Sequence, residues 1–178
     1  MIGALETVPA RTHKDLLATP VFDALEAMPA EFADRVMVAP IDPDLADTAA
    51  FCDAYQVGLE VSANCVVIAG KREGETRYAA CMILATTRAD VNGAVRRLLN
   101  VRKASFAPMD EAVRLTGMEY GGITPIGLPA DWPIYIDAAA NATPNVIIGS
   151  GVRHSKIALP GELLAKLTNA SVIDGLAR

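Results

Sequence analysis

From Thr116 to Pro129 the chain reads Thr-Gly-Met-Glu-Tyr-Gly-Gly-Ile-Thr-Pro-Ile-Gly-Leu-Pro, with four glycines and two prolines set around Tyr120, Ile123 and Ile126. Glycine reaches positive φ and lets a ligand approach bare backbone, while proline stiffens the chain between. Gly121-Gly122 would therefore present N–H and C=O groups at a fixed place to a small polar ligand. The same composition also suits a stiff buried turn. Thr124 can donate its hydroxyl to a ligand or bond its own turn. Asp137, closing Pro133-Ile134-Tyr135-Ile136-Asp137, can touch a ligand or cap the segment that begins at Ala138. Trp132, the single tryptophan, suits packing at the base of the loop.

Other chemistries have less to build on. Cys52, Cys65 and Cys81 lack a CxxC spacing and sit among apolar neighbours, the setting of buried structural thiols. His13 lies in a polar segment and His154 in the basic stretch Arg153-His154-Ser155-Lys156, both reading as surface residues. No metal site, cofactor or Cys–His nucleophile is expected. No strand is followed by a dinucleotide or phosphate-loop fingerprint. A net charge of −5 argues against coating DNA or other long nucleic acid. Cation pairs do occur, at Lys71-Arg72, Arg96-Arg97, Arg102-Lys103 and Arg153 with Lys156. Gathered on one side, they could hold one end of an RNA.

The elements that would position these residues follow from periodicity and punctuation. Met1 to Lys14 reads as irregular, and Thr19-Pro20 as a helix start with a threonine cap. Arg35–Ala39 reads as a strand, and Asp44 or Asp47 as the cap of a helix to about Gln56. Ala63–Ala69 and Thr76–Thr86 form a hairpin around Gly74, the second strand apolar on both faces and hence central. Asp90 caps a helix, Lys103–Phe106 is extended, and a helix from Pro108 ends at Gly117. Strands at 145–149, 156–159 and 170–173 follow the glycine loop, with a Pro160-capped helix between the last two. At 178 residues this is one domain of mixed α/β character with a strongly curved sheet. The longest apolar run, Tyr78–Ala85, is far short of the ~20 residues of a membrane helix, and the N-terminus has no signal-peptide pattern. A soluble cytoplasmic protein without membrane partners is expected.

From about Arg35 to Ile173 the sequence resembles the YbaK/ProX-type aminoacyl-tRNA deacylases, which include editing domains associated with prolyl-tRNA synthetase. The similarity is carried by Asp47-Thr48-Ala49-Ala50 with Val57-Gly58, Ser62 to Val67, Arg88-Ala89-Asp90, Lys103 to Phe106, Glu111 to Gly127, and Gly149 to Arg153. The resemblance implies a barrel-like, mixed sheet flanked by short helices over 35–178; it does not cover residues 1–34, which read as an N-terminal extension with the short helix that starts at Thr19-Pro20. It also implies hydrolysis, in trans, of the ester of a mischarged small amino acid on tRNA. The partner would be the acceptor end of aminoacyl-tRNA, with an aminoacyl-tRNA synthetase as a further candidate.

The family's functional lysine stands on the early strand, and here that position is Asn64. An amide donates and accepts hydrogen bonds but carries no charge, so it cannot replace an ammonium at a phosphate or oxyanion. The resemblance then assigns Asn64 and Lys103 as catalytic, with Lys103 or Arg102 supplying the charge. Gly121, Gly122, Ile123, Thr124, Pro125, Gly127, Asp137 and Gly151 would bind substrate. The alternative is a non-catalytic module that binds aminoacyl-tRNA or a small ligand. Asn64, Lys103 and Gly121-Gly122 are expected to meet in one cleft, and a valine at Gly122 to spare the fold.

Overall fold

The computed structural model of the protein describes residues 2–178; Met1, which opens the segment expected to be irregular, lies outside them. Among the described residues two sheets form. The first holds β1 (Val8–Pro9), β2 (Met37–Pro40), β8 (Ser155–Leu159) and β7 (Val146–Gly149) in the order β1-β2-β8-β7, all antiparallel. The second holds β3 (Ala63–Arg72), β4 (Glu75–Leu84), β5 (Ala104–Phe106), β6 (Ile134–Asp137) and β9 (Ala170–Ile173), ordered β5-β3-β4-β6-β9. There β3 runs antiparallel to β4 and β5, while β4, β6 and β9 are mutually parallel neighbours.

Neither sheet closes on itself, which corrects the barrel-like expectation. One edge of each sheet is short and meets a proline: β1 has two residues, the second of them Pro9, and β5 has three and runs into Pro108 within two residues. Proline has no N–H to extend a ladder, so such edges stay edges. The sheets meet instead at one parallel bridge, Ser62 to Ile147, which lays the start of β3 beside β7.

Local chemistry explains most elements. Glu73 (φ 53) and Gly74 (φ 84) make a two-residue turn joining β3 to β4, with both residues in the left-handed region that such hairpins use. Ala79 to Leu84 is buried throughout, because β4 is paired on both sides and covered on both faces. Helix α1 (Thr19–Ala27) starts where Pro20 predicts it, but its cap is Ala18, with no side-chain cap bond. Helices α2 (Ala30–Ala33), α3 (Thr48–Ala54) and α4 (Arg96–Leu99) are short. Helix α5 (Met109–Thr116) ends on Gly117 at φ 67, and α6 (Ala138–Ala142) follows β6 directly. The segment after Pro160 is a 3-10 helix, Gly161–Lys166.

The main core lies between the sheets, where Met82 and Ile136 meet Ile148, Ile157 and Leu159 together with Val21 and Leu25 of α1. Helix α3 covers the outer face of the first sheet through Phe51 and Cys52, packed with Ala39, Ile147 and Ala158. Helix α4 covers the outer face of the second through Leu99, beside Ile68, Cys81 and Tyr135. No described helix is long and apolar enough to cross a membrane.

Candidate active site

A cavity of about 300 Å³ opens where the bridge between Ser62 and Ile147 joins the two sheets. Its wall comes from four places: Ala46–Thr48 at the start of α3, Ser62–Val66 of β3, Tyr120, Gly121 and Ile123 of the glycine loop, and Ile147–Gly149 with Lys156. Asn64 and Gly121 therefore do face one hollow, as expected. Thr48 Oγ1 donates to Asn64 Oδ1 at 2.8 Å, which leaves the amide nitrogen of Asn64 as the free donor.

Lys156, which the sequence offers only as one of the cations that could hold an RNA end, is the cation in this cavity. It is 9% exposed. Within β8, Ile157 and Leu159 point into the main core, so Lys156 and Ala158 must point to the opposite face, under α3. One ammonium N–H donates to Ala46 O at 2.9 Å, and Nζ lies 5.3 Å from the centroid of the Phe51 ring. Lys156 enters no ion pair among the described residues. Burial, reinforced by the nearby Arg153 guanidinium, pulls its pKa below the ordinary lysine value. An ammonium with unspent donors in a half-dry hollow is suited to a developing negative charge. The readable signal was a lysine inside an otherwise apolar strand.

Lys103 lies elsewhere. It is exposed and precedes β5, whose Ala104 pairs with Gly70. Gly70 stands six residues along β3 from Asn64, about 20 Å at 3.3 Å per residue. Proximity of Lys103 to the glycine loop in the sequence does not survive folding, because β5 joins the far end of β3. Arg102 is exposed at that same end.

The rest of the glycine loop faces inward. Gly122 N–H donates to Glu119 O at 2.9 Å and Gly122 O accepts from Gly151 N–H at 2.7 Å. A Cβ on Gly122 would lie 2.7 Å from Val152 O, so the residue is packed on backbone and does not open to the hollow. Thr124 and Pro125 are buried, and the Thr124 hydroxyl has no hydrogen-bond partner. Gly127 (φ 84) lies against the Pro20 carbonyl and Gly151 (φ 86) against Ala18, both on the α1 side. Asp137 caps α6 by accepting from Ala139 N–H at 3.0 Å, and its second oxygen accepts from Ala177 N–H at 3.1 Å. Trp132 stacks on Tyr78 with centroids 5.1 Å apart, beneath the loop.

Arg153 pins the loop from outside. Its guanidinium donates to Tyr120 O at 3.3 Å and to Pro43 O at 3.1 Å, and meets Asp47 at 3.5 Å. Burial disfavours the thiolate form at each cysteine, pushing Cys65, on the cavity wall, and Cys52 up, and Cys81 up to about 12. His154 Nε2 contacts the Asp15 carbonyl at 3.0 Å, away from the cavity wall.

Residues 42–167 match the model of the aminoacyl-tRNA editing domain. The chain belongs to that family. Solved structures agree on the editing-domain fold. A candidate trans-editing enzyme for prolyl-tRNA synthetase is 23% identical, with TM-score 0.73 over 88% of this chain and 94% of its own. A hypothetical protein is 18% identical, with TM-score 0.74 over 87% of this chain and 99% of its own. A scaffold protein from computational epitope grafting is 25% identical, with TM-score 0.71 over 88% of this chain and 95% of its own. The editing-domain match includes every cavity residue named above and leaves out 2–41, which hold α1 and β1.

Proposed function

We propose that the protein hydrolyses the ester between a mischarged small amino acid and tRNA, acting in trans. Lys156 carries this reading. The resemblance puts Asn64 where the family has a lysine, and an ammonium enters the same cavity from β8, which supports a positive charge supplied from another strand. With the ester carbonyl in the hollow, Lys156 Nζ and the Asn64 amide N–H donate to the carbonyl oxygen as it becomes an oxyanion. Water adds to the carbonyl carbon, the ester C–O bond breaks, and the ribose oxygen leaves with a proton. Thr48 fixes the Asn64 amide, and the Gly121 backbone lines the approach. A volume of about 300 Å³ stands at the small end of ligand cavities, which supports a small amino acid. Tyr120, 59% exposed at the cavity edge, offers its ring to the terminal base.

The test is hydrolysis of alanyl-, seryl-, cysteinyl- and prolyl-tRNA by wild type and Lys156→Met. Loss of the ammonium should lower kcat by about 10²–10³ with a smaller effect on binding, the size expected for one oxyanion donor. Adding Asn64→Lys to Lys156→Met should restore part of the rate. Wild-type turnover by Lys156→Met would remove Lys156 from the mechanism. Binding of all four substrates without turnover of any would leave the binding-module reading.

A further inference from the structure

Two of the four cation pairs, Lys71-Arg72 and Arg102-Lys103, are distant in sequence and are brought to one groove by the fold. The β3–β4 hairpin carries Lys71, Arg72 and Arg77 to the C-terminal end of α4, where Arg72 and Arg77 donate to Asn100 O at 3.3 and 3.4 Å. Lys71, Arg72 and Arg102 line one open groove of about 440 Å³ with Glu73, Asn100 and Val101. Arg96 and Arg97 belong to α4 itself, and Lys103 follows Arg102. Segments 71–77 and 96–103 thus hold seven cations against two acids, Glu73 and Glu75. The whole chain has 16 cations and 21 acids, so the remainder carries nine against 19. A basic face stands on an otherwise strongly acidic protein.

Little within the protein neutralises this face. Its ion pair among the described residues is Arg72 with Glu73 at 3.5 Å, and Lys71, Arg97, Arg102 and Lys103 are exposed and outside any ion pair. Strand β3 joins the face to the catalytic hollow: Lys71 is seven residues from Asn64, about 23 Å along the strand. We propose that this face holds phosphates of the tRNA body while the aminoacyl end occupies the cavity. The inference rests on the editing reading for its choice of polyanion. Phosphate contacts of this kind set register and affinity without reading sequence, and each adds to the salt dependence of binding.

The probes are uncharged tRNA for binding and aminoacyl-adenosine for chemistry, since the latter is too short to reach from the cavity to Lys71. The double reversal Lys71→Glu with Arg102→Glu should weaken tRNA binding at least 10-fold at 0.1 M salt and flatten the log–log salt slope by about two. Hydrolysis of aminoacyl-adenosine should be unchanged, and the charge-keeping pair Lys71→Arg with Arg102→Lys should bind tRNA normally. Unaltered tRNA affinity and slope in the reversal variant, beside normal hydrolysis, would overturn the docking face and leave the editing reading intact. Patch-dependent tRNA binding with no hydrolysis of either ester would do the opposite. Failure of the wild type to bind tRNA, or loss of binding to anionic-lipid vesicles alone in the reversal variant, would also overturn the docking face.

Discussion

Replacing Gly122 by alanine should destabilise the protein, contrary to the sequence-based expectation that even valine would spare the fold. The new Cβ would stand 2.7, 2.8 and 2.9 Å from Val152 O, C and N, all backbone atoms. Val152 has nowhere to retreat. Gly151 N–H is bound to Gly122 O at 2.7 Å, Arg153 N–H to Glu119 at 2.7 Å, and Ser150 Oγ to Val152 O at 3.2 Å. Forcing a methyl group into such a contact costs roughly 1–3 kcal/mol. Against this, losing glycine's freedom in the unfolded chain returns about 0.4–1 kcal/mol, since Gly122 is not at positive φ. The net loss is centred on about 1.3 kcal/mol, which lowers Tm by roughly 3–5 °C in a domain of this size. Valine adds two more methyl groups and should cost more. Thermal unfolding followed by circular dichroism, with tRNA binding measured below the transition, reads both effects. A Tm within 1 °C of wild type together with lost binding would show that Gly122 faces ligand and that the packing argument is wrong.

Lys156→Met should remove a pH dependence. With its folded pKa below the unfolded one, Lys156 binds fewer protons when folded, so wild-type stability rises with pH from the folded value up to about 10.4 and the variant's does not; urea titrations across that range test it. Tyr120→Ala should raise KM for aminoacyl-tRNA by the equivalent of about 1–3 kcal/mol, the usual worth of one stacked base, and leave kcat alone in steady-state kinetics. Thr48→Val should reduce kcat by roughly 3–10-fold, the loss of one neutral hydrogen bond of about 0.5–1.5 kcal/mol that orients Asn64. Asp90, whose pKa is held low chiefly by the Ala94 N–H, should stabilise the start of its helical segment above the ordinary carboxylate range and lose that effect as acid is added; an acid titration of Asp90→Asn against wild type measures it.

Local rules made much of this fold legible. The apolar run before Leu84 marked a central strand, Gly74 a hairpin, Asp90 a cap and Gly117 a helix stop, because each acts over a few residues. Curvature was misjudged because sheet closure depends on which edges find partners, and β1 and β5 become edges only through tertiary placement. At the site, Asn64 and Gly121 came from motif and Lys156 was missed. A lysine's role depends on what covers its strand face, and α3 does so from 100 positions earlier in the chain. Lys103 failed in the opposite direction, since sequence nearness to the loop says nothing about which end of β3 receives β5.

Gly149, on the cavity wall, is backed by the main chain of Gly122 and Ile123, and Gly122 in turn lies on the main chain of Val152. That part of the wall cannot swing to admit a bulkier guest or close around a slimmer one. On the proposed editing reading the cavity would work as a fixed gauge: oversize side chains would meet a steep steric barrier, whereas undersize ones would enter and forfeit only about 1–3 kcal/mol per missing methylene. Such a gauge polices an upper limit sharply and a lower limit poorly. A cell relying on it would need some other feature, in the synthetase or the tRNA, to protect correctly matched residues that are smaller than the limit.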